Sequence, residues 1–224
     1  MFDILLQVPS DSLSAAANAK SESIFSLLTK GGILMVPLGI LFALVVYFFI
    51  ERWLVIRKAN SGDESFMNIV RDHIVNGNIA AARSLAKNTD NPIARVIDKG
   101  LQRIGKPIDA IEKSMENTGK LEVYKLEKNL NTISVISRIA PLFGFVGTII
   151  GLVMLLKEFA VLSNPSISQI ADAMYIKLIT SATGLIIGML AYLGYSYLDT
   201  QVNRLANKME SASSEFIDVL QQPM

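Results

Sequence analysis

The sequence predicts an all-α membrane protein with three transmembrane helices. The second and third continue far beyond the membrane, and further helices lie between the first and second. Three observations carry that expectation. The 224 residues are 51% hydrophobic, with mean hydropathy +0.40, a level soluble domains rarely reach. Three stretches, 31–50, 139–156 and 178–198, contain no charged residue, and each is long enough to cross a bilayer as a helix. The basic residues are unevenly placed: 1–30 hold two against three acids, whereas 51–138 hold fifteen. Lys and Arg concentrate on the cytoplasmic side of multi-spanning proteins, so 51–138 and the C-terminus are expected inside and the N-terminus outside.

Residues 1–30 are read as an N-terminal segment at the outer, periplasmic face. The apolar stretch 2–8 is short, contains Asp3 and follows no basic residue, so it is expected to be a poor secretory signal. Ile24, Phe25, Leu27 and Leu28 favour burial at the interface. Residues 31–50 are then an uncleaved first span.

The cytoplasmic segment 51–138 divides at its turn residues. One helix covers 65–76 and stops at Asn76-Gly77-Asn78. A second covers 79–87, Asn91-Pro92 starts a third, and Gly105-Lys106-Pro107 ends it. From Ile108 only Gly119 intervenes before Pro141, while Leu121, Tyr124, Leu126, Leu130, Ile133 and Ile136 recur at helical period. One continuous helix of about 45 residues, roughly 65–70 Å long at 1.5 Å per residue, is expected to end as the second span at 139–160. A periplasmic loop follows at 161–169, then the third span at 170–198. Val202, Leu205, Met209, Phe216 and Leu220 carry that helix on as a cytoplasmic C-terminal helix, 199–224.

No enzyme, cofactor or metal chemistry is expected. The absence of cysteine excludes disulfides and thiolate metal sites, and a net charge of +1 gives no nucleic-acid footprint. The one histidine, His73, sits beside Arg71 and Asp72 on a polar helix as a solvated side chain. Gly31-Gly32 and Gly77 match no phosphate-binding loop, and the carboxylates of 51–138 alternate with bases as on a charged helix face.

The chemistry lies in the membrane. Pro141, Gly144, Thr148, Gly151, Leu155 and Glu158 follow one another at steps of three and four, which makes them one stripe. With Gly147 they form a surface that a neighbouring backbone can approach closely. Thr148 reads equally as a packing residue bonded to its own backbone. On the third span Lys177, Ser181, Gly184, Gly188, Ala191 and Tyr195 form a second stripe, flanked by Thr180 and Thr183. Gly184 and Gly188 are a small-xxx-small pair. Two placements of Lys177 stay open: outward to the headgroups, or inward on the face of Ser181. In the second, Glu158 is the expected intramembrane partner. If Thr148 and Ser181 are level, the two charges are offset by roughly 9 Å. Asp172 and a carboxylate on another subunit compete for the same role.

The three spans read GGILMVPLGILFALVVYFFIERWLVIRK, APLFGFVGTIIGLVMLLKEF and MYIKLITSATGLIIGMLAYLGYSYL. Together they resemble the ExbB/TolQ/MotA proton-channel family, and within it the ExbB/TolQ branch, since the MotA branch has four spans. The resemblance covers most of the chain. It implies a homopentamer in the bacterial inner (cytoplasmic) membrane, with the second and third spans lining a central pore. ExbD/TolR-like single-span subunits enter that pore, and a membrane Asp on them takes up and releases protons. Flow down the proton-motive force drives rotation, and the work passes to an outer-membrane transport or envelope system, with a TonB- or TolA-like protein as a further partner.

Thr148 matches the family's second-span pore threonine and Ser181 its third-span hydroxyl, with Thr180 and Thr183 beside it. Pro141, Gly144, Gly147 and Gly151 match the packing positions of the second-span signature. Two positions depart: Ile176 stands where many members have Glu, and Leu190 is near where they have Pro. Without that Glu the proton falls to the partner's Asp, with Thr148 and Ser181 as water-coordinating support. A non-conducting scaffold of the same fold, or a torque stator for a gliding or rotary machine, are the alternative functions.

Overall fold

The structure, a computed structural model, describes residues 34–60, 65–161 and 167–221. The N-terminal segment 1–30, Gly31, Gly32 and most of the loop expected at 161–169 lie outside the described residues. The described elements are all helices: α1 Met35–Asn60, α2 Phe66–Val75, α3 Ile79–Asn88, α4 Pro92–Leu101, α5 Ile108–Glu127, α6 Leu130–Val161 and α7 Ile167–Gln221. Three of them, α1, α6 and α7, are long and apolar enough to cross a membrane.

The short helices begin and end where turn chemistry predicts. Asn78 caps α3 by accepting the Ala81 amide at 3.1 Å, and Asn91 caps α4 by accepting that of Ala94 at 2.6 Å, with Pro92 in the first turn. Gly77 (φ 69°) and Gly105 (φ 92°) take the left-handed conformation that stops the chain in a turn.

The continuous helix expected from Ile108 is corrected. The structure breaks it into α5 and α6 at Lys128-Asn129, with Asn129 at φ 64°. Asn tolerates that region because its short polar side chain bonds locally. Here its amide donates to Glu51 Oε2 on α1 at 3.1 Å, a partner 78 residues away that no local pattern reveals. Of the apolar stripe, Leu126, Leu130, Ile133 and Ile136 are buried, whereas Leu121 and Tyr124 on α5 face outward.

By contrast α7 runs unbroken for 55 residues, about 80 Å at 1.5 Å per residue, joining the third span to the C-terminal helix. Its first part pairs with α6 and α1 around Leu38, Ile133, Ala140, Ala191 and Leu198. Its far end packs into a polar lobe of α2–α5 around Val70, Ile97, Met115 and Phe216.

A chain of charges ties the base of α1 to this lobe. Lys58 reaches Asp90 at 2.9 Å, Asp90 holds Arg95 at 3.0 Å, and Arg95 holds Glu122 at 2.8 Å. Glu122, 3% exposed, also receives Lys125 at 2.7 Å. Burial pushes its carboxyl up, but the hydrogen bonds and charges of Arg95 and Lys125 outweigh that and hold it below its ordinary value. Beside it the buried Arg52 donates to the Lys125 carbonyl at 3.3 Å and pairs with Glu51.

Candidate functional site

The small residues of the two predicted stripes meet each other. α6 and α7 run antiparallel, and a ladder of glycines sets their spacing. A Cβ on Gly144 would stand 3.0 Å from both Cα and O of Ser181. One on Gly184 would stand 2.6 Å from the Ala140 carbonyl oxygen and 3.0 Å from Gly144 Cα. On Gly188 it would strike the Pro141 ring, at 2.5 Å from Cγ, and the Ser137 carbonyl oxygen at 2.8 Å. At Gly147 the neighbours are Thr180 Cγ2 and Leu34 Cδ1, both at 3.2 Å. Backbone lies on backbone over this length, the arrangement small residues permit in an apolar medium.

Those contacts fix the register. Ser181 lies opposite Gly144, so the assumption that Thr148 and Ser181 are level is corrected: Thr148 stands a turn farther along α6. Lys177 lies opposite Gly151, and its alkyl stem runs across the bare glycine face, with Cγ, Cδ and Cε where a side chain would be. Lys177 is half-buried, with its stem on the α6-facing side. The side chains of Glu158 and Asp172 lie outside what is described. The Glu158 backbone is seven residues past Gly151, about 10 Å.

Thr148 and Lys177 share a small cavity of about 50 Å³ with Gly151, Leu152, Leu155, Met174 and Leu178. The Thr148 hydroxyl donates to the Phe145 carbonyl at 2.7 Å, and Thr183 donates to that of Ile179 at 2.8 Å. Each hydroxyl thus spends its proton on its own helix and keeps its lone pairs for an outside donor. Such a group accepts a hydrogen bond from water or a protonated acid without titrating itself. Ser181 is half-buried. Thr180 is 1% exposed, with its methyl against Gly147 inside the helix pair.

One polar residue of this region escapes the sequence reading. Arg138 borders the uncharged run of the second span and marks its end in the sequence. In the structure α1 lies alongside, from Leu34 at Gly147 to Glu51 at Asn129, so Arg138 falls midway along an uncharged stretch of its neighbour. The guanidinium donates to Ser134 Oγ at 2.9 Å and the Ser134 carbonyl at 3.3 Å.

The sequence is similar to known proteins. Residues 88–211 match the family model of the MotA/TolQ/ExbB proton channel family, a span that contains α4–α6 and most of α7. A curated relative, the putative biopolymer transport protein ExbB homolog of Methanothermobacter thermautotrophicus (strain Delta H), is 26% identical over 134 residues, 60% of this chain and 47% of the relative. The chain therefore aligns with about half the length of that relative.

Proposed function

The chain belongs to the MotA/TolQ/ExbB proton channel family and is a multi-pass membrane protein; from that premise we propose that it is the ExbB-like subunit of a proton-driven motor. In this reading copies of the chain form a pentamer in the inner membrane, with α6 and α7 around a pore and the polar lobe in the cytoplasm. A single-span ExbD/TolR-like partner occupies the pore and carries the titrating carboxylate. Proton flow through the assembly is converted into work on an outer-membrane transport or envelope system.

The observation that carries the reading is the pairing of a rigid glycine-spaced wall with hydroxyls whose lone pairs are free. Proton transfer through an apolar layer needs acceptors that hold water without becoming charged. Thr148, Ser181 and Thr183 are of that type, and a fixed carboxylate at position 176, where Ile stands, would compete for the proton. The measurement is proton flux into proteoliposomes holding the chain with its single-span partner. Thr148→Val keeps the bulk and removes the acceptor, so flux should fall at least tenfold with the oligomer intact on native mass spectrometry. Unchanged flux in that variant overturns the assignment of α6 to the pathway.

In the same reading Lys177 and Glu158 pair at the outer end of the helix hairpin. Lys177→Glu should lower flux, and adding Glu158→Lys should restore part of it. Rescue by Asp172→Lys in place of Glu158→Lys assigns the pair to Asp172.

A further inference from the structure

Arg138 is a cation placed in the apolar layer with no counter-charge beside it among the described residues. Its depth follows from α1. Leu34 marks one level at Gly147, and Glu51, just past the uncharged run, marks the other at Asn129. Arg138 is nine residues from each, roughly 13–14 Å along the helix. Beside it α1 carries no charge over 34–50 and α7 none over 178–198. No carboxylate among the described residues lies within 4.0 Å of its guanidinium. The side chain is exposed, on the same sector of α6 as Leu142, Phe145 and Ile149. A charge so placed is costly unless an anion joins it.

We propose that Arg138 binds a carboxylate on a membrane helix of another subunit, seated along this sector of α6. The proposal rests on the reading that the chain works with a single-span partner and names a second point of contact for it. Two other sources of negative charge fit less well. In a closed ring of identical chains the copies are level with one another, and no stretch of α1, α6 or α7 at this depth holds an acid. A lipid phosphate stands at the headgroups. The guanidinium, folded back on Ser134, stops five residues short of the Glu51 level, about 7–8 Å. Thr148 lies ten residues outward and about 80° around the same helix, so one helix crossing α6 obliquely meets both. Because a guanidinium keeps its proton, Arg138 cannot relay one. It is a positioning residue that fixes the depth of the partner helix and keeps the bound carboxylate ionised.

The test uses the full-length protein in phosphatidylcholine vesicles at pH 8. Its probe is a Lys-flanked Leu/Ala transmembrane peptide with a single Asp or Asn nine residues from the inner end, and binding is read by energy transfer. The wild type should bind the Asp peptide about tenfold more tightly than the Asn peptide, the scale of a close charge pair. Arg138→Gln should lose the preference and Arg138→Lys should keep part of it. Moving the Asp six residues outward should abolish it in the wild type. Equal binding of the two peptides, or a preference that survives Arg138→Gln, overturns the proposal. So does retention of phosphatidylglycerol by the wild type but not by Arg138→Gln on native mass spectrometry, with loss of the Asp preference in vesicles containing that lipid. If Arg138→Gln does not assemble, Arg138→Lys and the depth series decide. The readout is binding, so it stands or falls separately from proton flux.

Discussion

The two ends of α7 hold their neighbours by different means. Against α6 the contact is backbone on backbone, with Gly144, Gly184 and Gly188 leaving no room for a Cβ. In the polar lobe the contact is side chain in side chain, with Ile97, Met115 and Phe216 interlocked and almost wholly buried. Even the lobe's close glycine, Gly100, makes room for side chains: a Cβ there would stand 2.6 Å from Met115 Sδ and 2.7 Å from Phe216 Cε1. Surroundings account for the difference. In water, burying a large apolar side chain is favourable in itself. Among lipid chains it gains little, so helices associate by close approach, which small residues allow. One helix thus carries two packing codes, joined without a break.

The sharpest way to break this comparison is to put bulk into the ladder. Gly184→Leu would place a side chain where the Ala140 carbonyl oxygen and Gly144 backbone stand, and the α6–α7 pair should come apart. Loss of the native oligomer and early proteolysis of α7 are the expected results, and a wild-type assembly would show that the ladder tolerates separation. Next in size, Phe216→Ala should cost about 3–5 kcal/mol by opening a cavity in the lobe. Thermal unfolding should show the lobe melting first while the apolar helices keep their ellipticity. A single shared transition would show that the two regions are one cooperative unit.

A smaller effect is expected at Glu122. Its carboxyl titrates below its ordinary value of 4.5 in the folded chain. The stability it contributes is therefore complete above that ordinary value and is lost as pH falls through the lower folded one. Glu122→Gln should cost about 1–2 kcal/mol at pH 7, discounted because Arg95 and Lys125 are partly solvated, and should flatten the acid limb of the lobe's stability curve. An acid limb identical to the wild type would assign the pH dependence to other carboxylates. Smallest of all is Gly39→Ala: nothing lies within 4 Å of a Cβ there, so no loss is expected, and a gain of up to about 1 kcal/mol follows from helix propensity. A large loss would place Gly39 at a contact between chains.

Much of this architecture is written locally. The three apolar runs give three long apolar helices, and Asn78, Asn91-Pro92, Gly77 and Gly105 cap and stop the helices of the lobe by chemistry that acts within a few residues. The period puts the small residues of each helix on one stripe, and in the structure the two stripes face each other. Three features are not local. The break at Asn129 is joined to Glu51 on another helix. The offset of Ser181 against Gly144 is set by which glycine receives which backbone atom. Arg138 reads as the end of a span until α1 is laid beside it.

The sequence by itself determined most of the helical segments, which are apolar enough to span and which face of each is small or polar, because helical period and turn chemistry depend on neighbours in the chain. The tertiary structure decided how far each helix is shifted along the next, and with it the level of Thr148, Lys177 and Arg138. A period of 3.6 residues fixes a side chain's direction about its own axis and carries no information about its height against another helix; only the fit of one surface into the other supplies that.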